Sequence, residues 1–207
     1  MKRTKSDAAL TRAAILDAAE LLFYREGVEN STLDQIAAQA GVTRGALYWH
    51  FRGKEDLLLE LFAGLHVNPL QEIYEEDARG PAFQPLCFLE HKLHSWFDSL
   101  GTIPHLKRMF TILLRIDLQA EPGALKTVIR KLEVEERWAT EFAFQRAAEQ
   151  GLLGNGHSPE TCSNTTRSLV KGFEREVLLS EHSDCVVANA KISVSSLFSS
   201  FRRDLTH

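Results

Sequence analysis

Tyr48, Trp49 and His50 follow one another directly, with Thr43, Arg44 and Lys54 within a few positions of them. A soluble helix turns its aromatics inward, and consecutive helical residues lie about 100° apart, so three such rings cannot share one buried face. At least one must stand exposed, surrounded by a hydroxyl, an imidazole, a guanidinium and an ammonium. Such a set suits hydrogen bonding and the meeting of negative charge. Thr43 opens a helix and Lys54 opens the next, where free N–H groups and the positive dipole end favour phosphate. Gly45 inside a helix costs about 1 kcal/mol against alanine, which points to close backbone approach at that position.

The elements that must position these residues are short helices. Leu33, Ile36, Ala37 and Ala40 keep helical spacing; Gly41 then breaks the chain and Thr43 caps a helix running to about Phe51. Glycine lets the chain reverse tightly, so the pair reads as a helix-turn-helix whose second helix fits a DNA major groove. Val42, Ala46, Leu47 and Phe51 form its inner side, leaving Thr43, Arg44, Gly45, Tyr48, Trp49 and His50 to face outward. A structural helical hairpin with surface aromatics is the plainer alternative. Upstream, Ile15, Ala18, Ala19, Leu22 and Phe23 make one apolar stripe ended by Gly27. Ser31-Thr32-Leu33-Asp34 offers a variant capping box, with a hydroxyl at the start and a carboxylate three residues on. Downstream, Leu57, Leu58, Leu61, Phe62 and Leu65 mark a fourth helix.

Beyond about His66 the punctuation changes, with Asn68-Pro69 and Gly80-Pro81. Leu86, Leu93, Trp96, Phe97 and Leu100 mark a helix that Gly101 and Pro104 end. From Leu106 to Leu118 apolar residues cover nearly the whole circumference, as in a buried helix or a cavity wall. A long helix from Pro122-Gly123 ends near Gly151, and Ser158 with Pro159 starts another of about residues 159–180. The last, about 184–204, carries Val187, Ala190, Val194, Leu197, Phe198 and Phe201 among small serines. That stripe needs a partner and suits a two-fold interface, an intramolecular contact being the alternative. The prediction is all-α: about nine helices, a DNA-binding unit over 1–66 and a helical bundle over 67–207.

Composition agrees. The formal net charge is −4, yet residues 1–54 carry eight Lys/Arg against six Asp/Glu, while the rest carries sixteen against twenty-two. A basic head on an acidic body fits a protein that meets phosphate at one end only. Three cysteines, Cys87, Cys162 and Cys185, lack metal-ligand spacing and fit a reducing cytosol. The polar start offers no signal peptide and no apolar run approaches a membrane span. A cytoplasmic protein without membrane contact is expected.

The string GVTRGALYWHFRGKEDLL resembles the DNA-binding signature of the tetracycline-repressor family, most nearly its multidrug-efflux-regulator branch. The resemblance covers about residues 2–62. It implies a homodimeric repressor that binds operator DNA and responds to a small hydrophobic inducer. On this sequence, Lys2, Arg3 and Lys5 correspond to a basic arm following the minor groove. Ser31 and Thr32 start the helix that abuts the backbone. Thr43, Arg44 and Gly45 fall at base-reading positions, and Tyr48, His50 and Lys54 at phosphate-contacting ones. Trp49 packs on sugar and methyl groups or braces the domain. The resemblance further implies a ligand cavity in the C-terminal bundle and dimerisation through the last two helices. Large and soft side chains there include Phe88, Trp96, Met109, Phe110, Leu113, Leu114, Trp138, Phe142 and Phe173, with Leu65 at the boundary. His66, Lys92, Asp117 and Glu174 offer the polar contacts. At one place the chain departs from the branch: Lys171 stands before Gly172 where an acidic residue is common, which puts a preference for cationic ligands in doubt.

Other classes fit less well. There is no nucleophile elbow, phosphate-binding glycine loop or metal-ligand cluster, so neither an enzyme nor a cofactor is expected. His91 and His94 share a helix face but lack further ligands. A protein-interaction module using the exposed aromatics, and the same fold regulating a metabolic operon, are the alternatives.

Overall fold

The computed structural model describes residues 5–65, 69–78, 80–116 and 123–203, and these form ten α-helices. In order they are α1 (Lys5–Glu26), α2 (Leu33–Gln39), α3 (Arg44–His50), α4 (Lys54–Ala63), α5 (Pro69–Asp77), α6 (Pro85–Thr102), α7 (Pro104–Arg115), α8 (Gly123–Glu149), α9 (Pro159–Leu179) and α10 (Ser183–Phe201). A single 3₁₀ turn, Gly80–Ala82, precedes α6. The helix beyond the nine expected is α5: Pro69 starts it, as proline at a first helical position can. Among the described residues no helix is long and apolar enough to cross a membrane.

The chain divides into two compact units. The first comprises Met1–His66 and His105–Arg130; the second comprises Val67–Pro104 and Lys131–His207. The first unit thus takes in residues 105–130 along with the N-terminal helices, whereas the sequence reading placed those residues in the 67–207 bundle. The reason is apolar: Met109 and Ile112 of α7, with Leu125 and Ile129 of α8, belong to the core built by α1–α4. That core contains the whole α1 stripe, Ile15, Ala18, Ala19, Leu22 and Phe23, together with Ile36, Leu47, Leu57, Leu58, Leu61 and Phe62. Buried Glu20 of α1 adds a polar tie, accepting from Arg108 Nε and lying 2.7 Å from His105 Nδ1. Contrary to expectation, α7 is not apolar all round. Met109 and Ile112 are fully buried while Arg115 is exposed and Lys107 and Arg108 are half-buried.

In the second unit α10 packs on α6 and α9. Here the expectation for the last helix needs correction. Val187, Ala190, Val194, Phe198 and Phe201 are buried within the subunit, so this stripe serves the bundle and not a second chain. Phe198 and Phe201 meet Phe144 of α8 with ring centroids 5.8 and 5.5 Å apart. Gly101 lies inside α6 and does not end it; a Cβ there would stand 3.0 Å from Val187 Cγ2, so its smallness lets α6 and α10 approach. Ser158 caps α9 as expected, its Oγ accepting from Thr161 N–H at 3.1 Å.

Candidate functional site

Two short helices and the turn between them make the candidate nucleic-acid interface. Thr32 is the N-cap of α2: its Oγ1 accepts from Gln35 N–H at 3.2 Å, and Gln35 Oε1 accepts from Thr32 N–H at 2.7 Å. This is a complete capping box one residue later than the sequence pattern suggested. Gln35 closes it, which frees Asp34. After α2, Gly41 takes φ +67°, Gly41 N–H donates to Ala38 O and Val42 N–H donates to Ala37 O. These paired bonds close the helix end in a left-handed turn that glycine adopts without a Cβ clash. Thr43 then caps α3, its Oγ1 accepting from Ala46 N–H at 3.2 Å.

Only Leu47 of α3 is fully buried. Phe51 is buried just beyond it, beneath the Arg12 guanidinium at 4.9 Å, and Arg12 pairs with Glu60 to tie α1 to α4. Thr43, Arg44, Gly45, Tyr48 and Trp49 are exposed, Trp49 to 75%. His50 is half-buried, its ring edge-on to Trp49 at 4.5 Å. The Arg44 guanidinium lies against the Asp34 carboxylate, Nε to Oδ1 at 3.2 Å and Nη1 to Oδ2 at 3.3 Å, with its centre 5.5 Å from the Tyr48 ring centroid. The Tyr48 hydroxyl and the Asp34 carboxylate hold the guanidinium pKa above its ordinary value.

Two of the expected contacts are otherwise engaged. Ser31 is buried and donates to Gly27 O at 2.7 Å, so its hydroxyl closes the α1 end and does not face outward. Lys54 Nζ donates to Val28 O at 2.7 Å and Glu29 O at 3.2 Å, fastening the loop before α2. Lys5 begins α1, but its side chain, with Lys2 and Arg3, lies outside the described residues.

The expected ligand-contacting residues are not brought together as one set. His66 and Asp117 lie outside the described residues. Met109 is fully buried in the core of the first unit, with Leu65 and Leu113 packed against that core; Phe110 and Leu114 are half-buried in the same unit. Trp138 is 56% exposed. In the second unit Lys92 pairs with Glu72 and lies 5.6 Å from the Phe88 ring centroid, Phe142 meets Tyr74 at 4.9 Å, and Phe173 meets Phe97 at 6.3 Å. Three of the expected residues form a true polar cluster. Buried Glu174 accepts from Trp96 Nε1 at 2.7 Å and from Lys171 Nζ at 3.0 Å; the same ammonium reaches Glu136, unforeseen in the sequence, at 2.9 Å. Burial pushes the Glu174 carboxyl above the usual range, with Lys171 opposing. Burial also pulls on the Lys171 ammonium, but the carboxylates of Glu174 and Glu136 outweigh it and raise its pKa.

A capped helix-turn-helix that shows its second helix to solvent is the architecture of a DNA-binding regulator. Residues 15–61 match the bacterial regulatory proteins of the tetR family. The HTH-type transcriptional repressor BepR of Brucella suis is 34% identical over 206 residues, spanning 98% of this chain and 97% of BepR. The chain belongs to the tetR family. Among solved structures, a complex of SmeT with triclosan matches with a TM-score of 0.78 at 27% identity, covering 94% of this chain and 93% of SmeT. SmeT is the repressor of the Stenotrophomonas maltophilia multidrug efflux pump SmeDEF. NalD, the secondary repressor of the MexAB-OprM multidrug efflux pump in Pseudomonas aeruginosa, gives 0.76 at 29% identity, covering 97% of this chain and 100% of NalD.

Proposed function

We propose that this chain is a cytoplasmic, ligand-responsive transcriptional repressor of an efflux-pump operon. It binds a near-palindromic operator as a homodimer through residues 1–66 and is released when a small hydrophobic molecule binds residues 67–207. The observation that carries the reading is the exposed face of α3, where Thr43, Arg44, Tyr48 and Trp49 stand free of the core. Similarity to a repressor along nearly the whole chain, and to two efflux-pump repressors, supports the target.

Within the second unit, Glu174 and Glu136 set two carboxyl groups against the one ammonium of Lys171, which replaces the branch's acidic residue. This cluster supports a sensing site that tolerates cations as well as neutral aromatics. The outward face of α10, with Ile192 64% exposed beside Ser196 and Ser199, supports the dimer contact. Two recognition helices related by a two-fold axis meet successive major grooves when they lie about one DNA turn apart.

The test uses the purified full chain and labelled duplexes, one from upstream of its own gene and one of random sequence. The upstream duplex is expected to bind more tightly, with log affinity falling linearly as log salt rises. Triclosan, the compound bound to SmeT, is the first inducer to try. Because linkage is reciprocal, operator DNA must weaken its binding by the factor by which it weakens operator binding. Equal affinity for both duplexes would overturn operator recognition; triclosan and the other aromatic compounds tried binding free protein and complex alike would overturn release.

A further inference from the structure

Arg44 is the first residue of the recognition helix, yet its partner lies on the other helix of the motif. Asp34 sits in the first turn of α2 and holds the guanidinium by Nε and Nη1 at 3.2 and 3.3 Å. The fork of an arginine has two usable edges. These are Nε with Nη2 and Nη1 with Nη2; Asp34 takes one hydrogen of Nη1, which leaves the second hydrogen of that nitrogen beside Nη2. Nη2 donates one hydrogen to the Tyr48 hydroxyl at 3.5 Å, the limit of a hydrogen bond, and keeps its second. Both side chains of the pair remain largely exposed, so the contact adds little to folding. Its consequence is orientation.

We infer that Asp34 is a specificity-determining residue, a buttress that aims Arg44 at guanine and withholds it from phosphate. This rests on the reading of α3 as the DNA-recognition helix. Two physical effects act in the same direction. A guanidinium paired with a carboxylate has little net charge left to gain from phosphate, which is the sequence-independent part of binding. The second hydrogens of Nη1 and Nη2 still present a donor fork that matches O6 and N7 of guanine in the major groove, where recognition depends on hydrogen-bond geometry. A lone arginine at this position would serve either partner. Arg44 held by Asp34 serves the base.

The experiment selects bound sequences from a randomised duplex pool, using the full chain as wild type, Arg44→Ala, Asp34→Asn and Asp34→Glu. Asp17→Asn, an exposed α1 carboxylate, controls for the loss of one negative charge. Wild type is expected to enrich a half-site with a guanine that Arg44→Ala no longer selects. Asp34→Asn should lose preference at that same base, bind random duplex more tightly, and show a ratio of operator to random affinity about tenfold lower. Asp34→Glu keeps the charge in the first turn of α2 but displaces the carboxylate, so it should lose the same base even if Asp34→Asn folds poorly. Asp17→Asn should shift both affinities equally. Asp34 variants that select the full wild-type consensus with an unchanged ratio would overturn the buttress alone. A wild-type protein that enriches no sequence would overturn the repressor reading beneath it.

Discussion

Replacing Lys171 by alanine removes the ammonium that lies between Glu136 and Glu174, at 2.9 and 3.0 Å. Glu174 keeps the Trp96 N–H on Oε1, but its other oxygen is left without its cation while the side chain stays only 10% exposed. Breaking a fully buried pair costs roughly 3–5 kcal/mol, whereas an exposed one costs about 0–1 kcal/mol. Lys171 is 47% exposed at its side chain, so water can refill part of the space. An intermediate penalty of about 2 kcal/mol follows. The pH dependence has a fixed sign. The folded pKa of Glu174 is raised, so its own contribution favours the fold in acid and is lost as pH rises through that value. The raised ammonium of Lys171 contributes stability at neutral pH that is lost only as pH rises through its folded pKa. The Lys171→Ala penalty should therefore be full above the raised Glu174 value and shrink as pH falls through it, since a neutral carboxyl needs no cation. Urea unfolding followed by tryptophan fluorescence measures it, in wild-type and Glu174→Gln backgrounds. The double-mutant cycle isolates the pair. A penalty below about 0.5 kcal/mol at every pH at which the protein folds, identical in both backgrounds, would refute the coupling.

Three further outcomes follow from the DNA-facing motif. Thr43→Ala should cost about 1 kcal/mol, because Ala46 N–H loses its cap, and hydrogen exchange should rise in the first turn of α3. Gly41→Ala forces a Cβ into φ +67° and should cost about 1–2 kcal/mol, read by thermal melting, and weaken DNA binding with it. Trp49→Ala, at a 75% exposed side chain, should leave stability within about 0.5 kcal/mol while lowering affinity for duplex DNA; loss of folding instead would make Trp49 a brace.

Where periodicity carried the information, the sequence was readable. The α1 stripe is buried residue for residue, and Gly27 and Gly41 both take positive φ where a helix end demanded it. Thr43 and Leu47 announced α3 because a cap and an inner side follow from local chemistry alone. What failed was long-range. Glu136 is thirty-five residues from Lys171, and no local signal pairs them. Asp34 looked like a cap because its spacing from Ser31 suited one, yet Thr32 and Gln35 take that work and leave Asp34 to Arg44. The α10 stripe was correct as a stripe, but an apolar face does not say whether its partner is its own chain or another. Pro69 read as loop punctuation although a first-turn proline and a loop proline look alike in sequence.

The single anchor of α3 bears on how such a regulator changes through evolution. A seven-residue helix capped by Thr43 and fixed by Leu47 delegates almost none of its stability to the side chains that face outward. Substitutions at Arg44, Tyr48 or Trp49 can therefore accumulate without unfolding the domain, so duplicated copies are free to drift toward new target sequences. The buried core of α1–α4 acts as a fixed chassis, and the alphabet written on it is cheap to edit.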